Sequence, residues 1–281
     1  MGDCQREQAL NAEHISNLMS ATTRLQLGQL TILDSVDSTN SELQRLPMKE
    51  QHAHAVLAES QSKGRGRRDR HWFSPPGSNI YLSLGWQFGV RTPALSSIPL
   101  LVALCTCRAL SRVGLKGHGI KWPNDVLVNG NKLAGILVEM QAEAGGPSVA
   151  VIGLGLNVNM PPGSRHHRQA EAEINRGWTD LSSHLDQPES ISRNAVAALL
   201  LEELIEGARA YEINGFATLR DEWDSLDLLA GKRVQIEHQK QVSEGLARGI
   251  SEDGGLQVQI PVSTNGKYRV FHAGEVRVFH G

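Results

Sequence analysis

The tightest constraint on the fold is the dipeptide Asn129-Gly130, which stands between two apolar runs, 126–128 and 133–140. Both residues tolerate the left-handed backbone of a two-residue turn, so this pair between strand-like runs predicts a β-hairpin. The pattern continues on either side. Residues 120–122 lead through Pro123-Asn124-Asp125 into the first run, and Gly145-Gly146-Pro147 turns the chain into a further strand over 149–158. The centre of the chain therefore reads as a β-meander, which needs further strands and covering helices to bury both faces.

Those partners are present. Residues 30–33, 55–58 and 80–88 read as strands. Residues 97–113 and 194–213 carry apolar side chains at helical spacing, stopped by Gly114 and by Asn214-Gly215. Ser38 or Thr39 is placed to cap a helix that Glu42, Leu43 and Leu46 begin and Pro47 limits. Leu10, Ile15, Leu18 and Met19 suggest one short amphipathic helix near the start, and the polar residues 161–190 read as a long loop around Trp178. From Gly231 the texture changes. Short strands at 234–236, 242–250, 256–260, 268–272 and 276–279, with turns at Asp253-Gly254-Gly255 and Asn265-Gly266, imply a small β-barrel or sandwich. The expected division is a polar, helical extension over 1–30, a large domain over 31–228 and a small β-domain over 229–281.

Bulk electrostatics exclude little but point away from nucleic acid: the formal net charge is −2. Cys4, Cys105 and Cys107 are three, with a close pair in an apolar run, so reduced thiols fit better than a disulfide framework. No apolar run approaches membrane-spanning length and no basic, apolar leader opens the chain, so a soluble, cytoplasmic protein is expected.

Three stretches carry chemistry. Lys63-Gly-Arg-Gly-Arg-Arg-Asp-Arg70 holds five cations in eight positions, with glycines that let a ligand approach the backbone. Arginine forks match carboxylate and phosphate oxygens, so this loop suits an anion; a solvated basic loop is the plain alternative. Lys121-Trp-Pro-Asn-Asp125 is followed by Lys132-Leu-Ala-Gly135, which places a lysine at the exit of the tight turn. Asn124 and Asp125 offer oxygens of the kind a magnesium–nucleotide site uses, though an ordinary hairpin would look alike. Gly153-Leu-Gly-Leu-Asn157 puts glycines where a ligand or another backbone could approach a strand. It is not a dinucleotide fingerprint, no stretch fits a Walker-A loop, and His166-His167 reads as a solvated pair.

Together and in this order, Asp37-Ser-Thr-Asn40, Glu59-Ser-Gln61, Gly64-Arg-Gly-Arg-Arg68, Trp72-Phe-Ser-Pro75, Asn79-Ile-Tyr-Leu-Ser83, Lys121-Trp-Pro-Asn-Asp125, Lys132-Leu-Ala-Gly-Ile-Leu-Val-Glu139 and Gly153-Leu-Gly-Leu-Asn157 resemble the biotin protein ligases, from about residue 33 to the C-terminus. The resemblance implies an α+β fold, a mixed sheet flanked by helices of the class II aminoacyl-tRNA synthetase type, followed by an SH3-like β-barrel. It implies an ATP-dependent biotin–[biotin carboxyl-carrier protein] ligase that forms biotinyl-5′-AMP and passes biotin to a carrier lysine, with magnesium as the ATP counter-ion. Carried over by position, Ser38, Thr39, Asn40, Gln61, Gly64, Arg65, Gly66, Arg67, Lys132 and Gly135 correspond to biotin contacts. The polar atoms of Ser38, Thr39 and Asn40 would lie near the ureido ring. Lys132, Arg65 and Arg67 take the catalytic roles: Lys132 neutralises carboxylate and α-phosphate oxygens, and Arg65 and Arg67, with Gly66, belong to the loop that closes over biotin and the adenylate. Arg67, Asn124, Asp125, Asn157 and Trp178 correspond to nucleotide contacts, with Trp178 over adenine and Asp125 toward magnesium.

Asp69 departs from the pattern, where a glycine is usual. About thirty residues precede the ligase pattern, too few for the winged-helix domain of the family's repressors, so a monofunctional form without a DNA partner is expected. The resemblance also allows a homodimer through the catalytic sheet. The rival readings are a lipoate-type ligase of the same architecture and a nucleic-acid-binding module using residues 63–70.

Overall fold

The computed structural model describes residues 9–89, 95–142, 146, 148–173, 177–188, 191–260 and 268–279. Its main element is a seven-stranded mixed sheet in the order β1-β2-β3-β7-β6-β5-β4. The strands are β1 Gln29–Leu33, β2 His54–Ala58, β3 Ile80–Phe88, β4 His118–Lys121, β5 Asp125–Val128, β6 Asn131–Ala142 and β7 Ser148–Leu156. Only β1 and β2 run parallel; every other neighbouring pair is antiparallel.

The meander from β4 to β7 follows the expected course. Asn129 and Gly130 have φ of 49° and 80°, the positive values that a two-residue turn between twisted strands demands. The turn expected at residues 145–147 falls largely outside the described residues, as do Cys4 and the Asn265-Gly266 turn.

Helices cover both faces. On one side α5 (Ile98–Arg112) and α7 (Arg193–Asn214) pack together and against the sheet. Cys105 of α5 fits into the gap left by the missing side chain of Gly207 on α7. Ser192 caps α7 by accepting from the Ala195 N–H, and Gly215 ends it at φ 67°. The helix is less one-sided than its spacing suggests, because the N-terminal segment packs on its polar positions. Helices α1 (Ala12–Leu18) and α2 (Ala21–Arg24) lie there. Asn194 accepts from the Asn11 N–H and donates to the Ala9 carbonyl, and Glu202 accepts from the Ser20 N–H. Leu10, Ile15 and Met19 are buried as expected, but Leu18 is 48% exposed. The helix ends at Leu18 and the extended backbone of Met19 turns inward instead.

On the opposite side of the sheet, α3 (Thr39–Gln44) is followed by α4 (Met48–Gln51). Leu43 of α3 packs on Val56 and Val151, a small core separate from the main one. Ser38 occupies the N-cap position of α3 but its side chain makes no capping bond.

The segment 161–190 is not the continuous loop its composition suggests, since it contains α6 (Arg165–Glu173). The Ser164 hydroxyl caps α6 by accepting from the His167 N–H at 3.0 Å. The helix is polar nearly all round, with Ala170 buried, so it carries no apolar periodicity to read. Helix α8 (Arg220–Leu226) leads to the last domain.

That domain is a five-stranded antiparallel sheet, order β11-β10-β9-β8-β12. Its strands are β8 Arg233–His238, β9 Gln241–Ile250, β10 Leu256–Gln259, β11 Tyr268–Phe271 and β12 Glu275–Val278. The arrangement is consistent with an SH3-like fold; among the described residues β11 and β12 do not pair, and no closed barrel is formed by them. The indole N–H of buried Trp122 donates to the Gly254 carbonyl at 3.0 Å and ties this sheet to the larger one.

Candidate active site

The antiparallel register lines up side chains from three strands on the α3 side of the sheet, because opposed residues share a face. Ser83, Gly153 and Leu137 form one row across β3, β7 and β6; Tyr81, Gly155 and Gly135 form the next. The glycines keep this floor open. A Cβ on Gly155 would stand 2.5 Å from Trp72 Nε1, and one on Gly135 would stand 2.8 Å from Trp72 Cζ3. A Cβ on Gly153 would overlap the Asn40 carboxamide, 2.9 Å from its Cγ. What approaches the Gly153-Leu-Gly155 glycines is therefore the side chains of Asn40 and Trp72.

Above the floor lies a cavity of about 540 Å³, the size of a small-molecule site. Its lining includes Ser38, Thr39, Asn40, Gln61, Arg65, Gly66, Arg67, Asn124, Asp125, Lys132, Gly135, Asn157 and Trp178. The structure thus brings together every residue expected at the site except Gly64. That residue is buried behind the loop, where a Cβ would meet Ser74 Oγ at 2.6 Å, so its role is to let the loop pack. The side chain of Asp69 lies outside the described set.

One end of the cavity is neutral and rich in acceptors. Gln61 Oε1 accepts from the Thr39 N–H at 2.9 Å and faces Thr39 Oγ1 at 3.3 Å, while Gln61 Nε2 is spent on Ser74 Oγ. Ser83 Oγ lies 2.8 Å from Thr39 Oγ1 and 2.6 Å from Asn40 Oδ1, yet has a single proton for both. This cluster holds more acceptors than donors and suits a ligand that brings N–H groups.

The other end is cationic. Lys132 Nζ sits 2.6 Å from Asp125 Oδ1 and 5.2 Å from the centre of the Trp72 ring, and its side chain is 29% exposed. Its backbone bridges to the segment of Trp178: Lys132 N–H donates to the Gly177 carbonyl and Thr179 N–H to the Lys132 carbonyl, both at 3.0 Å. Arg67 donates to Asn124 Oδ1 at 3.2 Å, and Asn124 Nδ2 donates to the Ile136 carbonyl. Burial, and then the nearby Arg68 charge, pull the Arg67 pKa below the usual arginine value. Asn157 is held by donating to the Thr179 carbonyl at 3.0 Å. Trp178 meets His167 edge-on at 5.2 Å, and His166 pairs with Ser78 Oγ, so the two histidines are engaged rather than solvated.

Trp72, Ser83 and Glu139 stand in the motifs that carry the resemblance but were given no role there, and Glu275 was not named. Glu139 takes Arg65 in a two-pronged pair of 3.0 and 2.7 Å. Glu275 of β12 receives Arg68 at 3.5 Å and also Arg70, so the basic loop rests against the small domain. Arg68 holds φ 57° there, in the left-handed region. The two-residue glycine spacing in β7, read opposite Gly135 in β6, was the available signal for Trp72.

Among the described residues no group of three His, Cys, Asp or Glu could hold a metal ion, and Asp125 faces Lys132. The described side chains do not form a magnesium cage.

Comparison with known proteins places this arrangement. Residues 32–157 match the Biotin/lipoate A/B protein ligase family and residues 230–278 the Biotin protein ligase C terminal domain. The chain is 33% identical over 252 residues to the bifunctional ligase/repressor BirA of Escherichia coli, covering 90% of this chain and 74% of that one. It is 34% identical over 257 residues to the biotin--[acetyl-CoA-carboxylase] ligase of Mycobacterium tuberculosis, covering 88% of each. Among solved structures, the biotin protein ligase from Aquifex aeolicus in complex with biotin and ATP superposes with a TM-score of 0.70 at 25% identity, over 90% of this chain and 100% of that one. Fold, site and both matched segments agree: the chain belongs to the biotin protein ligase family.

Proposed function

We infer that this chain activates biotin with ATP and transfers it to a lysine of a biotin carboxyl carrier protein. The observation that carries the reading is the polarity of the cavity, an acceptor-rich neutral end joined to a cationic end. That polarity fits a substrate with a cyclic urea at one end and a carboxylate at the other. The ureido N–H groups meet Thr39 and Asn40, with Ser38 and Gln61 completing the wall.

In the first step a biotin carboxylate oxygen attacks the α-phosphorus of ATP. The P–O bond to the β-phosphate breaks and pyrophosphate leaves with its electron pair. Two anions must approach, so Lys132, Arg65 and Arg67 act by offsetting their charge. Lys132 is held ready by Asp125 and by the Trp72 face, and phosphate oxygens replace the carboxylate as its partner. Asn124, Asp125, Asn157 and Trp178 line the nucleotide side. In the second step the neutral ε-amine of the carrier lysine attacks the acyl carbon, the bond to AMP breaks, and the amine loses a proton. The basic loop shields the acyl-adenylate from water between the steps.

This reading includes no DNA partner and allows a homodimer. No helix among the described residues is long and apolar enough to cross a membrane. Exchange of labelled pyrophosphate into ATP tests the assignment. Exchange that requires biotin and is not supported by lipoate is expected; equal exchange with lipoate would favour the lipoate-type alternative.

A further inference from the structure

Glu139 is half-buried and lies outside the cavity lining, yet its carboxylate joins two parts of the wall. Oε2 accepts from Asn40 Nδ2 at 2.8 Å while both oxygens hold the Arg65 fork. We propose that Glu139 is a positioning residue that sets the ligand preference of the neutral end: it fixes the Asn40 amide with its oxygen, not its nitrogen, available to the ligand. The inference rests on the ligase reading above, and deepens it.

The argument is one of hydrogen-bond count. A carboxylate paired with arginine can only accept, and so can the Leu137 carbonyl, which lies 3.3 Å from Asn40 Nδ2. Two acceptors on one side require the NH₂ of Asn40 to face them. A flipped amide would set Oδ1 against the carboxylate and the Leu137 carbonyl with no proton between them. Oδ1 therefore lies over Gly153, next to Ser83 Oγ, at the acceptor-rich end of the cavity. Asn40 is 3% exposed, so water offers little alternative to either group. A ligand N–H is matched there and a ligand acceptor is not. The pair with Arg65 also links this choice to the resting position of the basic loop, so the site that reads the ureido ring and the loop that covers the carboxylate share one anchor.

The test is calorimetric titration of wild type, Glu139→Leu and Glu139→Gln with biotin and with its cyclic carbamate, in which one ureido N–H is replaced by a ring oxygen. Glu139→Leu should bind biotin about ten-fold more weakly and lose about ten-fold of the preference for biotin over the carbamate. Glu139→Gln keeps the shape and one acceptor but not the ion pair, and its preference should fall between the other two. It keeps the inference testable if the Leu variant does not fold. A preference equal to wild type in either folded variant, or an equal loss for both ligands, overturns the role of Glu139 while leaving the ligase reading intact. Wild type that binds no biotin overturns the ligase reading, and this inference with it.

Discussion

A single methyl group placed on the floor of the cavity should disable adenylation. In Gly155→Ala the new Cβ would stand 2.5 Å from Trp72 Nε1 and 2.7 Å from its Cζ2, where 3.4 Å is the start of ordinary contact. The indole must lift by about 1 Å, because β7 is clamped between β3 and β6 along its length and cannot give way. Overpacking of this kind costs about 1–3 kcal/mol of stability. The larger effect is on chemistry. Lys132 rides over the Trp72 ring, so a lifted indole pushes Nζ from its place beside Asp125. A displacement near 1 Å at a reacting group costs about a hundred-fold in rate. Biotin-dependent pyrophosphate exchange, with thermal unfolding measured alongside, reads both effects. The expected result is a folded protein, destabilised by about 2–12 °C, with kcat/KM reduced about a hundred-fold. An alanine variant with near-wild-type exchange would refute the reasoning, since Trp72 would then have no part in placing Lys132.

Two further outcomes follow from other parts of the structure. Arg67→Gly removes a loop cation that donates to Asn124 and should release the acyl-adenylate early, labelling bystander lysines on an unrelated protein; labelling confined to the carrier at normal adenylate synthesis would contradict this. Asp227 has a buried Oδ2 without a partner among the described residues, and burial raises its pKa above the ordinary 3.8. The folded state therefore holds this proton at pH values where the unfolded chain has lost it, so stability falls as pH rises from about 3.8 through the folded-state value. Asp227→Asn should gain on wild type in urea unfolding at pH 7 relative to pH 4, and a pH-independent difference would count against the burial argument.

Local chemistry explains which features could be read before folding. Asn129-Gly130 announced its hairpin because the turn and both flanking strands are contiguous, and the terminal short strands were legible for the same reason. Helix Arg165–Glu173 was not, since its stability rests on a Ser164 cap and a single buried alanine rather than on an apolar stripe. Leu18 misled because the helix stops one residue before the inward-facing Met19. At the site, most cavity-lining residues were legible in the short ordered motifs that carry the resemblance. Their anchors were not: Arg65 meets Glu139 across 74 positions and Arg70 meets Glu275 across 205. Glu139 stands in a quoted motif and Glu275 in none, yet neither neighbourhood says which arginine it meets, because long-range pairing is a property of the fold.

The central claim, that Lys132 beside Asp125 supports ATP-dependent attachment of biotin, is tested most directly by transfer of radiolabelled biotin to a carboxylase carrier domain. Wild type should label the carrier only when ATP is present, and Lys132→Ala should lower the rate by at least a hundred-fold at unchanged fold. Labelling by Lys132→Ala at the wild-type rate would contradict the role of the lysine, and a folded wild type that never labels the carrier would contradict the function itself.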